Sequence, residues 1–154
     1  NGYEMVEFLR CLEGIVDIYL PDYKYHLPDL ARDYSSMPDY PKVAQAALLE
    51  MFRQCGPLVT DENGIAIRGM IVRHTVLPGQ LENTRQALAW LQETFGENLY
   101  LSLMLQYFPA HKAHGHPLLS RKLTDEEITE ALQILEASGI EHGWVQDPEE
   151  EGGC

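Results

Sequence analysis

Met70-Ile71-Val72-Arg73-His74-Thr75-Val76-Leu77 runs into Pro78-Gly79. Arg73 and His74 are the only titratable residues in an otherwise β-branched and apolar run. A run of this kind reads as a strand covered on both faces, the condition of a parallel sheet between helices. Pro78-Gly79 closes it, because proline brings no donor to a ladder. Downstream, Leu81, Thr84, Leu88, Leu91 and Phe95 form one stripe of a helix over about 82–95. A third apolar strand, Leu99–Leu105, follows, then a long polar loop from Gln106 to Lys122 that carries several histidines. The next helix opens with Thr124 and Glu127 as a capping box and with Leu123 and Ile128 as a hydrophobic staple. Gly139 stops it. Glu141–Gln146 reads as a weakly patterned last strand.

Upstream, residues 58–68 read as a small hairpin in which Asn63-Gly64 supplies two positive-φ positions. A helix over Asp39–Cys55, capped by Asp39 with Pro41 in its first turn, presents Val43, Ala44, Ala47, Leu48, Met51, Phe52 and Cys55 on one face. Residues 21–38 read as a loop, Ile15–Leu20 as a buried strand, and Met5, Phe8, Leu9 and Leu12 as a helical stripe ended by Gly14. The expected fold is α/β: parallel strands with crossover helices and one small hairpin insertion. One domain spans 1–146, and 147–154 is an acidic tail expected to be disordered.

The 154 residues suffice for one domain, and 45% hydrophobic with 23% charged content excludes long intrinsic disorder. No apolar run approaches the roughly 20 residues a membrane helix needs. Twenty-four acidic against eleven basic residues give −13. Such a surface repels phosphate backbones and anionic lipid, so neither nucleic acid nor membrane is an expected partner. Cys11, Cys55 and Cys154 are too scattered for a disulfide framework or a zinc pair, and a reducing cytoplasmic setting is the default.

Parallel sheets bind ligands beyond the carboxyl ends of their strands. There the first strand leads into Asp22, Lys24 and His26, the second carries Arg73 and His74, and the third opens into Gln106, Tyr107, His111, Lys112, His114 and His116. Asp22 and Lys24, two apart, share a face on extended backbone and can pair as an ordinary surface bridge. Arg73 in an apolar strand demands an anion, either a protein carboxylate or a ligand carboxylate. His74 points to the opposite face and reads as a hydrogen-bonded core histidine. The loop histidines match no closed zinc pattern and read as solvated.

Asp17-Ile18-Tyr19-Leu20-Pro21-Asp22-Tyr23-Lys24-Tyr25, Val72-Arg73-His74-Thr75-Val76-Leu77-Pro78-Gly79 and Gln106-Tyr107-Phe108-Pro109, in that order after Asn1-Gly2-Tyr3, resemble the C-terminal half of radical S-adenosylmethionine proteins of the pyruvate formate-lyase activating enzyme-like group. The resemblance covers Asn1 to about Trp144. It implies the C-terminal part of a partial (βα) barrel. In the family a 4Fe-4S cluster on a Cys-x3-Cys-x2-Cys loop cleaves S-adenosylmethionine reductively to a 5′-deoxyadenosyl radical, which abstracts a hydrogen atom; activation of a glycyl-radical protein substrate is one such reaction. It further implies that Lys24 contacts the nucleotide or its carboxylate, that Asp22 faces the substrate or a monovalent cation, that Arg73 pairs with the methionine carboxylate, and that Gln106 and Tyr107 line the pocket.

The three-cysteine loop is absent from these residues. The resemblance therefore implies a C-terminal fragment of a longer oxidoreductase, inactive alone, whose partner is the missing N-terminal half of the same barrel. Cut open, its sheet would leave apolar faces such as those of Ile71, Leu101 and Leu103 partly uncovered, giving a marginal or self-associating monomer. Two other readings stand beside it. One is a cluster-free module that binds a nucleotide or small molecule. The other is a conventional enzyme using Asp22, Lys24 and histidine as acid and base.

Overall fold

A computed structural model describes residues 2–146; the acidic tail lies outside the described residues. The chain runs α1 (Val6–Arg10), β1 (Ile18–Tyr19), α2 (Pro28–Ser35), α3 (Tyr40–Cys55), β2 (Val59–Thr60), β3 (Ala66–Met70), β4 (Val72–Thr75), α4 (Leu81–Phe95), β5 (Tyr100–Met104), α5 (Asp125–Ser138) and β6 (His142–Gln146). Short 3₁₀ turns occupy Gly96–Asn98 and His111–Gly115.

Two three-stranded sheets, ordered β1-β3-β2 and β4-β5-β6, join through one continuous ladder. Gly69 N donates to Asp17 O, Ile71 N to Tyr19 O and Arg73 N to Pro21 O, at 2.9, 3.0 and 2.9 Å, and Tyr23 N donates to Arg73 O at 2.8 Å. β3 and β4 are thus one strand. The segment through β1 to Tyr23 pairs along one edge of it, and β2 then β5 along the other. The α/β expectation holds: β1, β3–β4, β5 and β6 all run parallel, and only β2 is reversed.

Alternation sorts this sheet into two faces. Met70, Val72, His74 and Val76 are buried, as are Leu101, Leu103 and Leu105 beside them. This face packs on the helices: Tyr19 bonds Gln54 of α3, and His74 bonds Thr84 of α4. The opposite face is layered by register. Arg73, Ser102 and Trp144 share one row with Asp22, and Thr75, Met104 and Gln146 the next. Tyr100 and His142 pair in the row below and stack at 5.1 Å, which verifies that registered partners share a face.

Several expectations are corrected. Ile15 is 71% exposed, because the chain reaches the ladder only at Asp17. Residues 21–38 contain α2, which starts with Pro28 in its first turn and ends on Ser36 in the left-handed region. Asp39 makes no cap bond to α3; its Oδ1 instead accepts Tyr3 OH. Of Asn63 and Gly64 only Gly64 has positive φ, and the Asp61 carboxylate closes the turn by accepting Asn63 N and Ile65 N. Ile71, Leu101 and Leu103 are not left uncovered: all three are buried, and Leu101 and Leu103 face the helices. The capping box at Thr124 and Glu127 and the left-handed stop at Gly139 form as expected.

Candidate functional site

Asp22 lies just past β1, in the same row as Arg73. Arg73 Nε and Nη2 both reach Asp22 Oδ1, at 2.7 and 2.6 Å. Lys24 Nζ stands 3.6 Å from Asp22 Oδ2. Asp22 is buried, while the Arg73 side chain keeps 39% of its exposure and Lys24 is similarly open. A protein carboxylate therefore supplies the anion that Arg73 requires. Two cations meet one anion here, so the cluster is net positive on a chain of −13. A second anionic group is the ligand such a field favours.

The backbone of this segment is held from behind. Tyr40 OH donates to Asp22 O at 3.0 Å and accepts Lys24 N at 3.1 Å. Asn83, buried on α4, accepts His26 N and Leu27 N on Oδ1 and donates through Nδ2 to Lys24 O. Burial raises the Tyr40 hydroxyl far above its ordinary range, so it remains a proton donor. Tyr23, between Asp22 and Lys24, turns to the helices. Its hydroxyl accepts from Gln45 and bonds His26 Nδ1, and burial pushes it up to about 12.

His74 is the core histidine expected. Its Nδ1 is 2.6 Å from Tyr23 O and its Nε2 3.0 Å from Thr84 Oγ1. Only a Nδ1–H donor satisfies the carbonyl, which leaves Nε2 to accept from the threonine. Burial lowers its pKa to about 4. His26 is lowered by burial too.

Gln106 and Tyr107 follow β5 at the same end of the sheet. Tyr107 OH donates to Leu119 O at 2.8 Å, and Gln106 is exposed. No hydrogen bond or ion pair among the described residues joins either to Asp22, Lys24 or Arg73. The structure thus gathers three of the five expected site residues and leaves two on the rim. Sequence reasoning missed Tyr40, Asn83 and Ser102. Asn83 interrupts an amphipathic helix beside its apolar stripe, and Ser102 is the one polar residue of β5; those interruptions were the available signal.

A 4Fe-4S cluster needs three thiolates close together. Cys11 is exposed, and buried Cys55 donates its thiol to Val16 O, with burial raising its pKa. No group of three potential metal ligands converges among the described residues. The described residues do not fit the cluster.

No family model matches the chain. An uncharacterized protein of Methanocaldococcus jannaschii is 28% identical over 141 residues, 92% of this chain and 38% of that protein. The crystal structure of a radical SAM methyltransferase from Sphaerobacter thermophilus superposes on 92% of this chain and 38% of its own, with TM-score 0.55 and 22% identity. The chain therefore spans well under half the length of each relative. No helix among the described residues is long and apolar enough to cross a membrane. The likeness identifies the fold: an α/β arrangement of parallel strands and helices shared with part of a radical SAM methyltransferase.

Proposed function

We propose that this chain is the C-terminal portion of a radical S-adenosylmethionine enzyme and carries groups that bind the polar end of S-adenosylmethionine. One observation carries the reading. Asp22, Lys24 and Arg73 meet on the face of a parallel sheet opposite His74, at the end where such sheets bind ligands, in a fold shared with part of a radical SAM methyltransferase. In this reading the sheet is an arc of a βα barrel, and its rows of side chains are the layers that fill one. Lys24 and Arg73 hold the methionine carboxylate. Asp22 orients both cations and offers its second oxygen to the substrate side. Gln106 and Tyr107 shape the rim.

When bound, a 4Fe-4S cluster would supply the electron for radical chemistry, on thiolates from outside this chain. The reaction class proposed for the whole enzyme is hydrogen-atom abstraction. The motif pair resembles glycyl-radical activating enzymes, and the structural neighbour is a radical SAM methyltransferase. In this reading Asp22 and Lys24 act as charges that position the ligand rather than as acid and base.

The test is a titration of the isotope-labelled chain with S-adenosylmethionine, followed by NMR. Shifts confined to the segments around Asp22–Lys24, Arg73 and Ser102, and lost in Arg73→Met, are expected. Absence of binding at millimolar ligand would sink the reading. Its second arm is the gene: a Cys-x3-Cys-x2-Cys loop encoded ahead of these residues is expected. Tight binding by this chain with no such loop would favour the alternative, a cluster-free nucleotide or small-molecule binding module.

A further inference from the structure

Ser102 sits at the centre of β5, between Leu101 and Leu103, and is 1% exposed. Its hydroxyl has no hydrogen-bond partner among the described residues. Buried polar atoms are nearly always paired, and an unpaired hydroxyl costs stability that alanine would not. The strand is otherwise apolar, so packing does not explain a serine there. Its surroundings do. By register its neighbours in the row are Arg73 on one side and Trp144 on the other. Arg73 spends Nε and Nη2 on a single oxygen of Asp22, and no hydrogen bond among the described residues engages its Nη1. Trp144, on the last strand, is 46% exposed. Both flanking side chains keep part of their exposure, so the row borders solvent on either side of the hydroxyl.

We propose that Ser102 is a ligand-binding residue whose hydroxyl donates to a carboxylate held by the unspent side of Arg73, with the rest of the ligand laid against Trp144. Guanidinium and hydroxyl, adjacent in one row, give a carboxylate one charge-assisted bond to each of its oxygens. The indole face suits the planar or cationic body that such a ligand carries. Asp22, already neutralised by Arg73 and Lys24, does not repel it. The ligand class is a small α-amino carboxylate bearing a planar or cationic substituent. Naming it S-adenosylmethionine rests on the function proposed above; the carboxylate subsite does not.

The experiment compares the chain with S102A by NMR titration, using S-adenosylmethionine, free methionine and 5′-methylthioadenosine, which has no carboxylate. Binding of the first two is expected to weaken about tenfold in S102A, the loss of one hydrogen bond to a charged group. That of 5′-methylthioadenosine should not change. The thermal midpoint of S102A should equal or exceed the parent's, since an unpaired hydroxyl has been removed. If methionine binds with this dependence and S-adenosylmethionine does not, the proposed function fails and the subsite stands. Equal affinities in S102A, no binding of either carboxylate, equal weakening of 5′-methylthioadenosine, or a lowered midpoint would each overturn the assignment of Ser102.

Discussion

Arg73 and Asp22 are joined twice. Their side chains meet at 2.6 Å, and their backbones are neighbours in the parallel ladder, with Arg73 N on Pro21 O and Tyr23 N on Arg73 O. The pair is therefore preorganised. The ladder holds the two backbones in register, so the guanidinium is aimed before any ligand arrives. Fixing a cation in this way lowers the ordering cost of binding an anion.

Asp22→Asn should destabilise the chain by about 1–2 kcal/mol. That is less than the roughly 3–5 kcal/mol for a fully buried pair, because Arg73 retains solvent. Arg73→Met should cost more than Asp22→Asn, since it leaves the buried Asp22 carboxylate with only Lys24 at 3.6 Å, whereas Asp22→Asn leaves a guanidinium that reaches solvent. Urea denaturation of both singles and of the double variant closes the cycle. A coupling energy near zero would show that the contact contributes nothing to the fold.

His74 gives the chain a pH dependence with a definite sign. Its folded-state pKa, about 4, is below the ordinary histidine value near 6.5. The unfolded chain therefore binds its proton first as pH falls. Stability due to neutral His74 is complete above about 6.5 and is lost from there down to about 4, at up to roughly 1.4 kcal/mol per pH unit. His26 adds in the same direction. Urea midpoints between pH 7 and pH 5, roughly, should fall in the parent and fall less steeply in His74→Gln. Equal slopes would remove His74 from the account.

The facing of β4 was legible because Arg73 and His74 alternate in a run with no other titratable group. Asp22 and Lys24 were legible as a pair for the same reason of spacing. The facing of β5 was not, because Tyr100, Leu101, Leu103, Met104 and Leu105 suit either side; only Ser102 breaks the degeneracy. Helix α2 escaped because its eight residues include Pro28, Asp29, Arg32, Asp33 and Ser35, a turn-like composition. It is held by Arg32 bridging Asp29 and Asp33, and by tertiary packing of Ala31 and Tyr34. Tyr40 and Asn83 work through backbone groups remote in sequence, a contact that no local pattern encodes.

Glu127 links the loop after β4 to α5. Its carboxylate completes the capping box on Thr124 N, accepts Gly79 N at 2.7 Å and pairs with Arg121 at 2.6 Å. The Arg121 bond is the main cause holding its pKa down, to about 2. This stability is present above the ordinary glutamate value near 4.5 and lost as pH falls toward 2. Glu127→Ala should cost about 1–2 kcal/mol. It should also speed amide exchange at Gly79 and in the first turn of α5 together. Exchange that rises in α5 alone would mean that the loop is held by something else.

Gly143 decides whether the last strand stays in the sheet. Its φ is 131°, a conformation that L side chains rarely adopt, and a Cβ there would collide with the Leu101 carbonyl of β5. Alanine must therefore either strain the backbone or push β6 away. Strain at such a φ costs on the order of 1–3 kcal/mol, and β6 has only exposed or half-buried residues with which to resist. Gly143→Ala is expected to release β6 while β1, β3–β4 and β5 persist. Amide protection over His142–Gln146 should fall and that of Val72–Thr75 should remain. The stacking of His142 on Tyr100 and the row from Arg73 to Trp144 would dissolve with it, so ligand affinity should fall in parallel. Retained protection across β6 in Gly143→Ala would show that the close approach to Leu101 is not what sets the strand's place.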